Sequence, residues 1–284
     1  MNVFEEHVDQ MIRIAQEKEQ PGPDDYIGED GLLYCGNCRT RKQLPVKVFG
    51  RERIVPVLCT CQAEERKKEE EERNLREKIQ AIKMAKNACI HDKALMNCTF
   101  ENDDGSLPQL FSARKYVETW QKRKENNNGL LLWGDVGTGK SFYAACIANA
   151  LIEEGVSVMM TNFAKILNRL SGLCSEDKNT FVADLMRYSL LIIDDFGAER
   201  STDYALEQVF YVIDERYKTN LPLIVTTNIH LKDLKNPPDQ AHQRIYDRLL
   251  AMCTPVRFEG TSHRVQDRER KYRECKEIFE GGKE

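Results

Sequence analysis

The residues best suited to chemistry form one glycine-rich segment, Gly134-Asp135-Val136-Gly137-Thr138-Gly139-Lys140-Ser141. It matches the pattern G-x-x-x-x-G-K-[ST], and it lies between an apolar run and a helical pattern, as a phosphate-binding loop requires. Its backbone N–H groups and the following helix N-terminus would hold the phosphates of ATP. Lys140 would contact the β- and γ-phosphates and Ser141 would bind Mg²⁺. We expect the whole segment, and Phe142 after it, to contact the nucleotide.

Two carboxylates follow a second apolar run, residues 190–193. A buried strand ending in Asp194 and Asp195 would deliver both acids to the edge where α/β sheets bind ligands. We expect Asp194 to hold Mg²⁺, and Asp195 to orient or deprotonate the attacking water. Glu199 is a second candidate for that water. Asn228 ends another aliphatic run and could aim its amide at the γ-phosphate, although capping the next segment is the alternative.

Four of the ten cysteines are clustered as Cys35-x₂-Cys38 and Cys59-x-Cys61, separated by 20 residues. Four thiolates can complete a tetrahedral Zn²⁺ site and order a segment too small to fold on its own core. Free or redox-active cysteines are the alternative, but a redox C-x-x-C motif favours a βαβ context that is not visible here. The other six are scattered and are expected to be small buried hydrophobic residues.

The elements that must position these residues follow from hydrophobic patterning. Five apolar runs predict buried strands: 130–133, 156–161, 190–193, 223–227 and 255–258. Five segments between or after them have helical patterns: 141–153, 163–172, 180–188, 203–219 and 239–252. Continuous apolar strands separated by helices predict a parallel five-stranded sheet covered on both faces. The expected fold class is therefore a three-layer α/β P-loop ATPase domain.

Composition divides the 284 residues into three parts: a small zinc-binding domain at 1–61, a charged helical linker at 62–95, and an ATPase domain at 96–284. No apolar stretch is long enough for a membrane helix, and the first residues lack a signal-peptide pattern. The net charge of −4 indicates no general attraction to nucleic acid. We expect a cytoplasmic protein without a membrane partner.

From Cys98 onward, about 185 residues resemble the AAA+ helicase loaders of the DnaC and DnaI family and the related IstB transposition ATPases. The resemblance rests on the glycine-rich segment and on four further motifs: Ile193-Asp194-Asp195-Phe196-Gly197-Ala198-Glu199, Thr226-Thr227-Asn228, Tyr246-Asp247-Arg248-Leu249 and Gly260-Thr261-Ser262-His263-Arg264. A DnaC-like pattern often has Asp-Glu where this chain has Asp194-Asp195, which leaves the hydrolytic role open between Asp195 and Glu199.

The resemblance implies further roles. Asn228 would be sensor 1, and Arg248 would be the arginine finger that reaches a neighbouring subunit's nucleotide. Arg264 would be sensor 2, contacting the γ-phosphate. Arg244 lies four residues before Arg248 and could be confused with it. DnaI-like loaders also carry an N-terminal zinc-binding domain that contacts the helicase.

The expected function is an ATP-dependent loader that self-associates and places a hexameric, DnaB-like replicative helicase on single-stranded DNA. The alternatives are an IstB-like ATPase that assists a transposase, and a zinc-bearing adaptor that uses ATP as a conformational switch. For the DNA strand, Lys165, Arg169 and Lys178 are interspersed with Phe163 and Phe181. Such a pattern suits sequence-independent strand binding, and it equally suits an ordinary amphipathic helix.

Overall fold

A computed structural model describes residues 3–18, 21–90, 92–102, 109–199, 202–260, 262, 265, 268–269, 271–273 and 275–276. The chain divides into two compact units, Met1–Gln80 and Ala81–Glu284. Within the described residues, no helix has both the length and the apolar character needed to cross a membrane.

The first unit contains one helix and two short antiparallel hairpins. Its elements are α1 (Val3–Lys18), β1 (Tyr26–Ile27), β2 (Leu33–Tyr34), β3 (Gln43–Val48) and β4 (Arg51–Pro56). Strand β1 pairs with β2, and β3 pairs with β4. Most side chains of the four strands are half-buried or exposed. A unit with so little apolar burial needs another source of stability.

The charged connector is one continuous helix, α2 (Thr60–Cys89). All thirty of its residues are described, and none is buried. Charged side chains one turn apart pair along it, as in Lys67–Glu71 and Arg76–Glu72. Such exposed pairs each contribute a few tenths of a kcal/mol, about 0.3–0.5, to a helix. The connector is a solvated helix as predicted, but it begins at Thr60 and ends at Cys89, six residues before the predicted end of the linker at 95.

The second unit is built on a five-stranded sheet in the order β6-β7-β8-β5-β9, and all its strands are parallel. The strands are β5 (Gly129–Gly134), β6 (Val158–Asn162), β7 (Leu190–Phe196), β8 (Leu223–Thr227) and β9 (Cys253–Phe258). Four of them are almost fully buried. The predicted parallel sheet is confirmed.

Helices cover both faces of this sheet. They are α3 (Leu110–Glu118), α4 (Trp120–Glu125), α5 (Lys140–Glu153), α6 (Phe163–Ser171), α7 (Ser175–Met186), α8 (Asp203–Thr219), α9 (Leu231–Lys235) and α10 (Gln240–Met252). Leu130 and Leu132 belong to a core cluster with α3 and α5, whereas Leu131 belongs to a second cluster with α6, α8 and α10. Alternating strand residues therefore fill two separate cores, which confirms the three-layer architecture.

Some elements and burial states differ from the expectation. Helices α3, α4 and α9 and all four short strands of the first unit lack a strong periodic signal, and they were not predicted. Cys146 and Cys253 are buried as expected, but Cys174 and Cys275 are exposed. For those two cysteines the expectation of a buried hydrophobic role is wrong: Cys174 lies at the exposed N-cap of α7, and Cys275 is exposed on a helical segment.

A β-bulge interrupts the pairing of β7 with β8. Ile193 lies opposite Val225, but Phe196 lies opposite Thr227, so β7 contains one extra residue at this point. Asp195 adopts a left-handed backbone conformation with φ of 59°. That conformation is uncommon outside glycine, and strained backbone of this kind concentrates at functional sites. The bulge re-aims the two acids at the carboxyl edge of the sheet.

At the amino ends of β7 and β8, a buried arginine contacts the backbone. Arg216 on α8 is fully buried, and its guanidinium donates hydrogen bonds to the carbonyls of Tyr188, Ser189 and Pro222 at 2.6–3.1 Å. These carbonyls precede β7 and β8. Burial lowers the pKa of Arg216 to about 10. The guanidinium has no ionic partner among the described residues. Its hydrogen bonds to the three carbonyls therefore offset the free-energy cost of burying its charge.

Replacing Arg216 with methionine should destabilise the protein by about 3 kcal/mol, because buried carbonyls would lose their donors. The matched control is Arg187→Met, since Arg187 is exposed and its ion pair with Asp184 lies at the surface. That change should alter the free energy of unfolding by less than about 0.5 kcal/mol. Urea unfolding followed by circular dichroism measures both. Equal losses in the two variants would contradict the assignment.

Candidate nucleotide and metal sites

The glycine-rich segment forms a tight loop between β5 and α5. Gly134 and Gly137 have positive φ angles of 138° and 83°. A Cβ atom on Gly134 would lie 2.1 Å from the carbonyl oxygen of Phe258, and one on Gly137 would lie 2.0 Å from Oγ of Ser262. Both positions therefore require glycine. Helix α5 begins at Lys140, so its N-terminal N–H groups face the loop, as an anion site requires.

Lys140 is folded into the loop. Its Nζ donates to the carbonyl oxygens of Gly134 at 2.8 Å and Asp135 at 2.6 Å, and the residue is only 7% exposed. The Thr138 hydroxyl donates to the same Asp135 carbonyl at 2.8 Å. The ammonium group is thus fixed where the loop surrounds it, and it could neutralise phosphate charge there.

A hydrogen-bonded group joins the loop to the ends of two strands. Ser141 Oγ donates to Oδ1 of Asp194 at 2.8 Å, and Thr226 Oγ1 donates to the same oxygen at 2.6 Å. The backbone N–H of Asp195 donates to Thr226 Oγ1 at 2.8 Å. The Asn228 amide donates to Oδ1 of Asp195 at 3.3 Å. The structure therefore brings together the serine, both acids and the asparagine that the sequence singled out.

These residues line one cavity of about 290 Å³. Its described lining residues are Leu95, Val136, Gly137, Gly139, Lys140, Ser141, Phe142, Asp194, Asp195, Thr226 and Asn228. A hydroxyl and a carboxylate oxygen held 2.8 Å apart are the ligand type that Mg²⁺ prefers. Ser141 and Asp194 thus fit a magnesium ion, and Lys140 fits a phosphate.

Glu199 is held apart from this group. Its Oε2 accepts from the backbone N–H of Gly197 at 2.9 Å, and Glu199 is absent from the described lining of the cavity. Burial raises the pKa of the Glu199 carboxyl, and the nearby Asp195 carboxylate adds to that rise. The exclusion of Glu199 from the water-positioning role therefore depends on its position, since its carboxylate is turned back to the Gly197 N–H.

Arg248 also lies away from the cavity of its own chain. Its Nε donates to Oδ1 of Asp214 at 3.1 Å, and its guanidinium lies 4.7 Å from the centre of the Tyr217 ring. One turn earlier, Arg244 is exposed and lies over the ring of Phe210. Arg264, expected as sensor 2, lies outside the described residues.

The aromatic part of the proposed DNA-binding segment is wrong for Phe163. That residue is 1% exposed, and its ring packs against Phe196 at 5.9 Å between centroids. Phe181 packs against the same core cluster. Lys165 and Arg169 are exposed one turn apart on α6. Lys178, the third basic residue of the predicted pattern, is half-buried, and its Nζ lies 5.4 Å from the centre of the Tyr204 ring. Of the five residues, Lys165 and Arg169 are therefore the two that face outward.

In the first unit, the four clustered cysteines converge. Their sulfur atoms all lie within 4.8 Å of one another, with separations of 3.5 Å for Cys35–Cys61 and 3.6 Å for Cys61–Cys38. Four bonds of about 2.3 Å to a tetrahedral zinc ion would place the sulfurs about 3.8 Å apart. The cysteines therefore fit Zn²⁺, and the C-x-C spacing is no obstacle because Cys61 lies in the first turn of α2.

Ionisation of the four thiols is uneven. The Thr40 hydroxyl, with backbone N–H groups, lowers the pKa of Cys38 to about 5. The neighbouring sulfurs of Cys59, Cys35 and Cys38 raise the pKa of Cys61 to about 12. Four adjacent thiolates repel one another, and a cation among them would remove that penalty.

A buried ion pair supports the cysteine turn, and no sequence motif predicted it. Lys42 Nζ lies 2.6 Å from Oδ2 of Asp25, and both side chains are about 6% exposed. Oδ1 of Asp25 accepts from the backbone N–H of Gly36 at 3.3 Å. A Cβ on Gly36 would lie 2.0 Å from the carbonyl of Asp24. The only signal in the sequence was the glycine inside the first cysteine pair.

The parallel sheet, the phosphate loop and the acids at the next strand end define a P-loop ATP-binding protein of the AAA+ type. The IstB-like ATP binding protein family matches residues 63–271. The replicative helicase loader DnaC of Escherichia coli K12 is 30% identical over 179 residues, which are 59% of this chain and 69% of that protein. DnaI of Bacillus subtilis 168 is 26% identical over 184 residues, 60% of this chain and 59% of that protein.

A crystal structure of the DnaC helicase loader superposes with a TM-score of 0.51 at 22% identity, over 59% of this chain and 100% of that one, which shows the shared fold. The chain belongs to the IstB-like ATP-binding family and to the family of the DnaC and DnaI helicase loaders. The family match begins at residue 63, after the last clustered cysteine. The cysteine unit is therefore supported by its own geometry alone.

The purified chain should carry one zinc ion, and Cys61→Ser should weaken its retention at least about tenfold, because one of four thiolates is lost. Zinc content measured by mass spectrometry after dialysis against a chelator tests this. Cys174→Ser is the matched control, since Cys174 is exposed and outside the cluster. Full zinc retention by the Cys61 variant would exclude the four-cysteine site.

Proposed function

We propose that this chain is an ATP-dependent loader, which binds a hexameric replicative helicase and delivers it to single-stranded DNA. The supporting observation is the contact of Ser141 with Asp194 at 2.8 Å, which joins the phosphate loop to the acidic strand end in a chain of the helicase-loader family. The relatives that carry the name replicative helicase loader support the choice of partner.

In this proposal, ATP binds along the loop with its phosphates on the N-terminus of α5. Lys140 neutralises the β- and γ-phosphates, while Ser141 and Asp194 hold Mg²⁺. A bound Mg²⁺ would draw negative charge from the phosphate oxygens and would so favour attack of water on the γ-phosphorus. The remaining work belongs to the protein, which must orient that water and exclude others from the cavity.

Asp195 is the residue we assign to the water. Its carboxylate lines the cavity and accepts from the Asn228 amide, so two polar groups meet beside the phosphate position. The Glu199 carboxylate accepts a hydrogen bond from the backbone N–H of Gly197, and Glu199 is absent from the described lining of the cavity. The Asp195 side chain is shorter than the glutamate of the DnaC-like pattern, and the bulge at this point re-aims it towards the cavity.

Arg248 acts on a neighbouring subunit in this proposal. The ion pair with Asp214 holds the side chain on its own α10 and α8, and the side chain keeps 35% of its surface exposed. An arginine supplied from another subunit would link hydrolysis to assembly. Arg264 is proposed as the sensor 2 contact. ATP hydrolysis would then respond to self-association, DNA and helicase.

The proposed contacts with DNA and with the helicase are assigned by charge and by position. Lys165 and Arg169 project from α6 at successive turns, which suits the phosphate backbone of a single strand. The cysteine unit, residues 1–61, is assigned to the helicase. Its hairpins leave Ile27 and Phe49 exposed at 72% and 51%, and exposed apolar side chains of this kind suit a protein partner.

Asp195→Asn should lower the ATP hydrolysis rate by about 100-fold or more while ATP binding is retained, because the amide cannot accept the proton of the water. Glu199→Gln is the matched control, and it should keep most of the rate. Steady-state phosphate release and binding of a fluorescent ATP analogue separate the two effects. The reverse ranking of the variants would transfer the role to Glu199.

A transposition helper is the second candidate, because the matching family is named for IstB. Capture of the replicative helicase distinguishes the two. The full chain should retain the helicase on an affinity column, and residues 62–284 should not. Lys140→Ala in the full chain serves as the control for nucleotide dependence. Capture by 62–284 would refute the role of the cysteine unit, and no capture by any form would favour the transposition reading.

A further inference from the structure

Thr226 is a buried residue whose hydroxyl contacts both members of the acidic pair. It lies on β8, next to β7 in the sheet, and is 1% exposed. Its Oγ1 donates to Oδ1 of Asp194 at 2.6 Å and accepts from the backbone N–H of Asp195 at 2.8 Å. The hydroxyl therefore acts as a donor towards Asp194 and as an acceptor towards Asp195.

We propose that Thr226 is a positioning residue that sets the magnesium-binding geometry of Asp194 and the backbone conformation of Asp195. This inference rests on the proposed function and adds a residue to it. Thr226 contacts the two acids, and its proposed effect on ATP hydrolysis is exerted through them.

The Asp194 carboxylate is the first group that Thr226 restrains. Two hydroxyls, from Ser141 and Thr226, converge on its Oδ1. The Ser141 hydroxyl is itself a proposed magnesium ligand, so its oxygen must serve the ion as well. Thr226 is buried in the sheet and has no such second duty. It is therefore the contact that can fix the carboxylate rotamer independently of the ion.

The Asp195 backbone is the second group that Thr226 restrains. Its φ of 59° lies in the left-handed region, which is unfavourable for a non-glycine residue and persists only where the surrounding structure holds it. The bond from its N–H to Thr226 is such a restraint. The same bulge leaves the Asp195 carboxylate beside the Asn228 amide. One hydroxyl thus restrains the magnesium ligand and the residue assigned to the water.

The neighbouring threonine provides a matched control. Thr227 is also fully buried on β8, and its hydroxyl also donates one bond and accepts one: it donates to the carbonyl of Phe196 at 2.8 Å and accepts from the N–H of Ile229 at 3.1 Å. Thr227→Val removes the same chemical group from the same strand without touching Asp194. A general effect of losing a buried hydroxyl would appear in both variants.

The experiment measures ATP hydrolysis by the full chain as a function of Mg²⁺ concentration for wild type, Thr226→Val, Thr226→Ser and Thr227→Val. Thr226→Val should raise the Mg²⁺ concentration at half-maximal rate by about tenfold and lower the maximal rate, while affinity for ATP without Mg²⁺ stays the same. Thr226→Ser keeps the hydroxyl and should restore both values. Thr227→Val should keep the wild-type Mg²⁺ midpoint to within about twofold, whatever its melting temperature.

A wild-type Mg²⁺ midpoint in folded Thr226→Val would overturn the proposal, as would an equal shift in Thr227→Val. If Thr226→Val does not fold, Thr226→Ala and Thr226→Ser decide the matter, because only the serine should keep the wild-type midpoint. Failure of the proposed function would look different. The wild-type chain itself would then show no Mg²⁺-dependent ATP binding, and Lys140→Ala would behave like wild type.

Discussion

One carboxylate oxygen, Oδ1 of Asp194, receives hydroxyl hydrogen bonds from two different elements of the second unit. Ser141 belongs to the first turn of α5, and Thr226 belongs to the strand on the other side of the acidic pair. The remaining geometry of the candidate site depends on this convergence. It requires β5, β7 and β8 to end at the same edge, which only a parallel sheet with these strands adjacent provides.

The two units reach stability by different physical means. The second buries two apolar clusters, one on each face of the sheet. It can tolerate a strained residue at Asp195 and a buried guanidinium at Arg216, which donates to three backbone carbonyls. The side chains that the structure describes in the first unit include few buried apolar ones, and its buried polar contacts concentrate around four sulfurs and the Asp25–Lys42 pair. Its order would therefore depend on a bound metal far more than that of the second.

The sequence carried different amounts of information about different elements. The β8 strand and α8 were predicted with the bounds observed, because the periodicity of an apolar or amphipathic run is visible in the sequence itself. The bulge at Asp194–Asp195 could not be predicted, since it arises from pairing with a strand about 30 residues away. For the same reason Thr226 was seen only as part of a motif. Its role follows from which atoms its hydroxyl meets across the sheet, and residue type alone does not supply that.

The strand end that carries the acids is also packed against two helices with other proposed duties. Phe196 follows Asp195 directly, and its buried ring contacts Phe163 of α6 at 5.9 Å and Tyr246 of α10 at 6.1 Å between centroids. Close-packed aromatic edges of this kind leave little free volume, so the end of β7 cannot shift without a response from both rings. Helix α6 bears the exposed basic pair, and α10 bears Arg248 two residues beyond Tyr246. The packing of Phe196 thus connects the strand end at the nucleotide cavity to α6 and α10. These two helices carry the surfaces assigned here to DNA and to the neighbouring subunit.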